Sequence, residues 1–262
     1  MLKFCSLYSG SSGNSLFVQS NNTKILIDCG TSAKKIENAL ESIDIDITDI
    51  DAILVTHEHS DHVQGLGTIS KKHDIPVFAN FETWNAMKTQ KDKISNSNIK
   101  IFENDTEFQI GNLQIFPFST PHDAANPCGF SICNGTKKIS IATDLGHITE
   151  NIYTNIKDSK FMLLEANYEP EILKVSNYPY ALKQRIAGPH GHLSNIDAGQ
   201  TVSNLFGKEL KEVMLGHLSK ENNFPEMAYK TVLEQLIHNN IDTNDIKISV
   251  ASRFNPSSTI TI

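Results

Sequence analysis

At 262 residues the chain can bury a full hydrophobic core without disulfide staples. Hydrophobic residues make up 39% and charged residues 20%, the balance of a folded globular protein and not of a disordered one. A formal net charge of −7 excludes binding of nucleic acid through a broad basic face, and no apolar run reaches the ~18 residues of a membrane span.

Residues 2–8 and 15–20 read as short strands joined by the small-residue turn Ser9-Gly10-Ser11-Ser12-Gly13-Asn14. A third strand, 24–29, follows the hairpin chemistry of Asn21-Asn22. Over 31–43 the spacing of Ile36, Ala39, Leu40 and Ile43 predicts a helix, with Thr31 or Ser32 to cap it. The apolar run 51–56 predicts a strand buried on both faces. Further strands are expected at 76–79, 99–102, 107–110, 113–118, 129–133, 138–142, 161–165, 212–216 and 246–251. Helices are expected at 81–89, 177–186, 195–206 and 225–238. No internal repeat, low-complexity linker or domain boundary stands out, so one domain over 1–262 is expected. Strand-rich halves with interspersed helices predict an α/β fold: two sheets face to face under helices, a four-layer αββα sandwich.

The four cysteines, Cys5, Cys29, Cys128 and Cys133, include no CxxC pair and read as reduced thiols. The opening Met1-Leu2-Lys3-Phe4-Cys5-Ser6 lacks the apolar run and cleavage site of a secretory leader. A cytoplasmic protein with no membrane association is expected, and no obligate protein partner is inferable.

Directly after the 51–56 strand comes His57-Glu58-His59-Ser60-Asp61-His62. In an extended loop, alternation sends His57 and His59 to one side, and a following turn lets Asp61 and His62 face a second point. Imidazoles helped by a carboxylate form a ligand set that Zn²⁺, Mn²⁺ or Fe accepts. The bland alternative is a surface loop that happens to be rich in histidine.

This segment resembles the His-x-His-x-Asp-His motif of the metallo-β-lactamase superfamily, and the resemblance continues in order along the chain. It implies that Asp28 braces the metal loop. It implies one metal on His57, His59 and His122, a second on Asp61, His62 and His217, and Asp144 bridging them. No cysteine occupies a ligand position, so the implied cofactor is two divalent metal ions, Zn²⁺ or Mn²⁺ with Fe also open, activating water.

Three segments bear on the substrate. The hydroxyls and amides of Ser11, Ser12 and Asn14 either cradle an anion or merely close a hairpin. No acidic residue stands between Ile172 and Ile196, while Lys174, Lys183 and Arg185 supply a local basic window. Ser194 or Asn195 at its end can cap the next helix, whose N-terminus favours anions. Polar residues then continue past His217 through Ser219, Lys220, Asn222 and Asn223.

Together these segments resemble the YycJ/WalJ-like proteins, compact relatives of RNase Z and the DNA-processing nucleases of the superfamily. The resemblance implies a metal-dependent phosphodiesterase, a 5′→3′ exonuclease on DNA that contacts its nucleic-acid substrate locally. On this reading Asp61 orients the attacking water and shuttles its proton, and His192 contacts the scissile phosphate or protonates the leaving oxygen. Small-molecule hydrolases of the same fold (a cyclic phosphodiesterase, a lactonase or a thioesterase) and a redox diiron protein stay open.

Overall fold

In the computed structural model, which describes residues 1–207 and 209–262, the apolar runs pair into two seven-stranded sheets. The first half of the chain supplies β1 (Leu2–Tyr8), β2 (Ser15–Ser20), β3 (Thr23–Ile27), β4 (Ala52–Leu54), β5 (Val77–Asn80) and β6 (Ile99–Phe102). The second half supplies β7 (Phe108–Ile110), β8 (Leu113–Ser119), β9 (Cys128–Asn134) and β10 (Lys137–Ala142). It continues with β11 (Phe161–Glu165), β12 (Glu212–Gly216) and β13 (Lys247–Val250), while β14 (Ile260–Thr261) returns to the first sheet beside β1.

The strand orders are β14-β1-β2-β3-β4-β5-β6 and β13-β12-β11-β10-β9-β8-β7. Both sheets follow one pattern. The four strands β14-β1-β2-β3 in one sheet and β7-β8-β9-β10 in the other pair antiparallel, and the pairing becomes parallel beyond β3 and beyond β10. Antiparallel neighbours need only tight turns, such as Asn21 (φ 39°) and Gly135 (φ 59°), whereas parallel neighbours need helical crossovers.

Those crossovers build the outer layers. Leu16, Ile25 and Leu54 of one sheet meet Phe130, Ile141 and Leu163 of the other in the central core. Phe4 and Phe161 join the sheets with ring centroids 4.6 Å apart. On the outer face of the first sheet, Leu26, Ile53 and Val77 are covered by Ile36 and Leu40 of helix Ala33–Glu41 and by Leu66 and Ile69 of helix Leu66–His73. Helices Asn195–Leu205 and Pro225–His238 cover Leu164 and Leu215 of the second. The result is the expected αββα sandwich.

Local departures have physical causes. The helix expected over 177–186 starts at Tyr180, because Pro179 adopts an extended conformation (ψ 145°) and restricts the residue before it. The helix expected over 81–89 breaks into Phe81–Ala86 and Lys88–Lys91, with Met87 off helical geometry at ψ 41° between them. Helices Ser60–Val63, Glu150–Ile156 and Pro170–Val175 are too short to show a clear period, and they were not expected, nor was Leu66–His73. Among the described residues no helix is long and apolar enough to cross a membrane.

Phe161 is fully buried where the sheets meet, so Phe161→Ala should destabilise the protein by about 3–5 kcal/mol in urea unfolding. A loss below about 1 kcal/mol would contradict its place in the shared core.

Candidate metal centre

Both sheets end at the same gap. His57 lies just past β4, and the helical turn Ser60–Val63 then redirects Asp61 and His62. Past β8, β10 and β12 come His122, Asp144 and His217, while Glu165 is the last residue of β11. Asp28 (φ 61°), Asp144 (φ 57°) and His217 (φ 54°) turn through the left-handed region as they leave their strands. For non-glycine residues that conformation costs on the order of 1 kcal/mol or more and concentrates at functional sites.

The geometry gathers the expected residues. One nitrogen each of His57, His59 and His122 lie within 4.8 Å of one another, as do ligand atoms of Asp61, His62 and His217. Asp144 groups with His57 and His62, its Oδ2 standing 3.4 Å from His62 Nε2 and its Oδ1 3.7 Å from His122 Nε2. The Nε2 atoms of His57, His122 and His217 and Oδ2 of Asp144 are buried and make no hydrogen bond. A buried polar atom left unpaired costs about 1–3 kcal/mol. Cations placed among these atoms satisfy them together, so the donor set fits metal binding.

Each imidazole is aimed by its other nitrogen. Asp28 accepts from the Thr56 amide and hydroxyl (2.9 and 2.8 Å) and from His62 Nδ1 (2.7 Å). His57 Nδ1 donates to the Thr56 hydroxyl at 3.0 Å, so Asp28 steers His62 directly and His57 through Thr56. His122 Nδ1 donates to the Gly191 carbonyl at 2.9 Å. Any side chain at Gly191 would place its Cβ 2.2 Å from the Arg185 and Ile186 carbonyls, so the turn requires glycine.

Glu165 performs the same service in the second sheet. Its Oε1 accepts from His192 Nδ1 and His217 Nδ1, both at 2.8 Å, while Oε2 accepts the Leu145 and Leu193 amides at 3.0 and 3.2 Å. The sequence reading missed this residue. Its one local signal is a carboxylate ending the otherwise apolar run Phe161–Glu165. Asn167 was missed as well, and its Nδ2 donates to the His217 carbonyl at 2.7 Å.

Electrostatics follow from burial and pairing. Burial lowers the pKa of His57 well below the usual imidazole value, assisted by neighbouring His62, and burial likewise lowers His122. Burial also opposes charge on His62, but Asp144 and Asp28 carry it up to about 9, and Asp144 raises His217 against the same opposition. The carboxyls of Asp61 and Glu165 stay well below the carboxylate range: burial pushes both up, but His217 and His62 hold down the first and His192 and His217 the second. A cluster this rich in buried carboxylates demands compensating positive charge.

The substrate-side residues divide. Ser11 and Ser12 are exposed and share with Asp61 and Lys88 the wall of a cavity of about 470 Å³. Asn14 is buried, accepting from the Gly10 amide at 2.9 Å and standing 3.1 Å from His62 Nε2; it braces the turn against the centre. Its turn packs closely there, since a Cβ on Gly30 would lie 1.6 Å from the Asp61 carbonyl. Two expectations need correction. Ser194 is a buried helix cap whose hydroxyl accepts the Asp197 amide and donates to its carboxylate. Asn195 is fully buried, with its side-chain amide bonded to Glu169 and Asn223. Neither is free to meet a substrate.

The basic window is also less basic than its composition. Arg185 ion-pairs with Asp123, and Lys174 stands 3.8 Å from Glu171. His192, with 21% of its side chain exposed, stands beside His122 and His217 at ring separations of 5.0 and 5.3 Å.

Residues 23–217 match the family model described as the Beta-lactamase superfamily domain. Exodeoxyribonuclease WalJ of Streptococcus pneumoniae is 39% identical over 236 residues, 89% of this chain and 88% of that protein. Exodeoxyribonuclease YycJ of Bacillus anthracis is 37% identical over 235 residues, 90% of this chain and 89% of that protein. The crystal structure of the metallo-beta-lactamase fold protein YhfI from Bacillus subtilis superposes with a TM-score of 0.71, covering 98% of this chain and 100% of that one. At 14% identity that likeness concerns the fold alone.

Glu165→Gln keeps the shape and removes the charge that orients His217. Zn²⁺ affinity, measured by chelator competition, should fall about 10–100-fold while the circular dichroism spectrum stays native. Unchanged affinity would rule out this orienting role.

Proposed function

Because the chain belongs to the beta-lactamase superfamily, we propose that it is a metal-dependent phosphodiesterase acting as a 5′→3′ exonuclease on DNA. The observation that carries the reading is a set of buried, unpartnered atoms, Nε2 of His57, His122 and His217 and Oδ2 of Asp144, that belong to overlapping groups of potential ligands at the gap between the sheets. The two exodeoxyribonuclease relatives, each matching about nine-tenths of the chain, supply the substrate class.

His57, His59 and His122 would hold one divalent cation and Asp61, His62 and His217 a second, with Asp144 facing both. The donors are all nitrogen and oxygen, which suits Zn²⁺ or Mn²⁺ and also Fe. Bound there, the cations supply Lewis acidity to the phosphoryl oxygens and to water. Asp61, at the cavity wall with 26% of its side chain exposed, accepts a hydrogen bond from the attacking water and orients it towards phosphorus. His192 anchors Nδ1 on Glu165, which leaves Nε2 for the leaving oxygen; a proton delivered there completes P–O cleavage.

Asp61 lines a cavity of about 470 Å³ and the chain carries a net charge of −7, which supports local contact near a strand end over binding along a broad basic face. The shared core between the sheets supports one domain over 1–262. All four cysteines are free, which supports a reducing cytoplasmic setting.

Purified protein with Mn²⁺ or Zn²⁺ should degrade end-labelled DNA from its 5′ end and lose that activity in EDTA. Labelled RNA and bis-p-nitrophenyl phosphate run in parallel; cleavage of the chromogenic diester alone would assign the site to a small-molecule hydrolase. Asp61→Ala should nearly abolish hydrolysis with the fold retained. His192→Ala should slow DNA cleavage about 10²–10⁴-fold with metal content unchanged, and normal turnover in that variant would remove its assigned role.

A further inference from the structure

After β13 the chain loops back over the Ser9–Asn14 turn. The Ser9 amide donates to the Ser252 carbonyl at 3.2 Å and the Ser257 amide to the Ser6 carbonyl at 2.8 Å. The Ser252 hydroxyl accepts the Phe254 and Asn255 amides at 3.1 and 3.2 Å, which fixes the bend carrying Arg253 and Phe254.

The sequence contains two arginines, Arg185 and Arg253. Arg185 ion-pairs with Asp123; among the described residues Arg253 makes no ion pair. Its guanidinium instead rests on neutral acceptors, donating to the Leu218 carbonyl at 2.5 Å and to the Ser12 and Ser11 hydroxyls at 3.2 and 3.4 Å. A Cβ on Gly10 would come within 2.8 Å of Nη1, so glycine lets the guanidinium lie against the turn. A half-buried guanidinium held by neutral groups retains its capacity for a phosphate.

Arg253 also stands at a boundary. On one side Ser11 and Ser12 face the cavity that contains Asp61. On the other, Arg253 lines a second, apolar cavity of about 390 Å³ with Leu218, Phe224 and Phe254. Phe254 is 75% exposed and Phe224 45% exposed, large aromatic surfaces that folding alone does not favour. Leu218, which lines this aromatic cavity and accepts from Arg253, follows His217 directly in the chain. Exposed rings beside a cation are what sites for single-stranded nucleic acid use, because every base has a π face and every linkage a phosphate.

We propose that Phe254 and Phe224 form a nucleobase-stacking subsite, joined to the centre by Arg253, which takes a backbone phosphate of the same single strand. The proposal rests on the nuclease reading and names how its substrate is held. An apolar peptide would cover the rings but leave the guanidinium without an anion; a DNA strand satisfies both.

The test is binding of a fluorescent single-stranded oligonucleotide with phosphorothioate linkages to the metal-loaded protein. Phe254→Ala should weaken binding about 10-fold. Arg253→Gln should reduce the slope of log affinity against log salt by about 0.7, the signature of one lost phosphate contact on a single strand. Abasic replacement along the oligonucleotide should weaken wild-type binding at one position, and that penalty should vanish in Phe254→Ala. Tyr180→Ala, which removes an equally exposed ring elsewhere, should bind as wild type does. Equal affinity of wild type and Phe254→Ala, or no binding by wild type, overturns the subsite. So does a Phe254→Ala effect on sedimentation without one on affinity, which would assign the rings to a second copy. Wild type that binds the strand yet cleaves no DNA rejects the nuclease reading and leaves the subsite standing.

Discussion

An imidazole can present one nitrogen in a fixed direction only if its other nitrogen is held. In this protein the Nδ1 atoms of His57, His62, His122, His192 and His217 are all tied back: to Thr56, Asp28, the Gly191 carbonyl and, for the last two, Glu165. Two buried carboxylates, Asp28 in one sheet and Glu165 in the other, therefore set the direction of four of those rings. The arrangement has a cost, since each carboxylate is almost wholly removed from water. It is offset because each accepts several short hydrogen bonds and sits among histidines.

The fold explains why groups so distant in the chain arrive together. Both sheets repeat one pairing pattern, and the strand at which pairing turns from antiparallel to parallel is β3 in the first and β10 in the second. Just past each of them stands a buried aspartate in the left-handed region, Asp28 and Asp144. Matching positions have thus taken different work: Asp28 braces two histidines from behind, and Asp144 faces the gap itself. The ends of β4, β8, β11 and β12 then deliver His57, His122, Glu165 and His217 to one place, and the rigid sheets hold them there.

Much of this was legible in the sequence because it is local. The spacing of His57, His59, Asp61 and His62 after an apolar strand announces two diverging pairs, and the turn Ser60–Val63 supplies the divergence. Pro225 opening a clean periodic segment marked a helix whose ends match the expected ones. What was not legible is mostly non-local. Glu165 becomes central only once β11 lies between β10 and β12, and Arg253 only once the last loop crosses a turn near residue 10. Acid-free composition around Arg185 suggested free positive charge, yet Asp123 reaches in from outside that window. Ser194 and Asn195 had the right chemistry to bind an anion and are fully occupied inside the fold. The repeated sheet pattern left no trace in residue identity, because it is a repeat of backbone pairing.

Side chains held from behind by Asp28 and Glu165 are arranged to form a two-cation centre. Its most direct test is metal stoichiometry: metal-depleted protein dialysed against Zn²⁺ or Mn²⁺, then measured by elemental mass spectrometry alongside a His217→Ala variant. Wild type should hold two ions per chain, and the variant should lose one of them together with hydrolysis. Wild type that takes up no stoichiometric metal, or a variant that retains both ions, would contradict it.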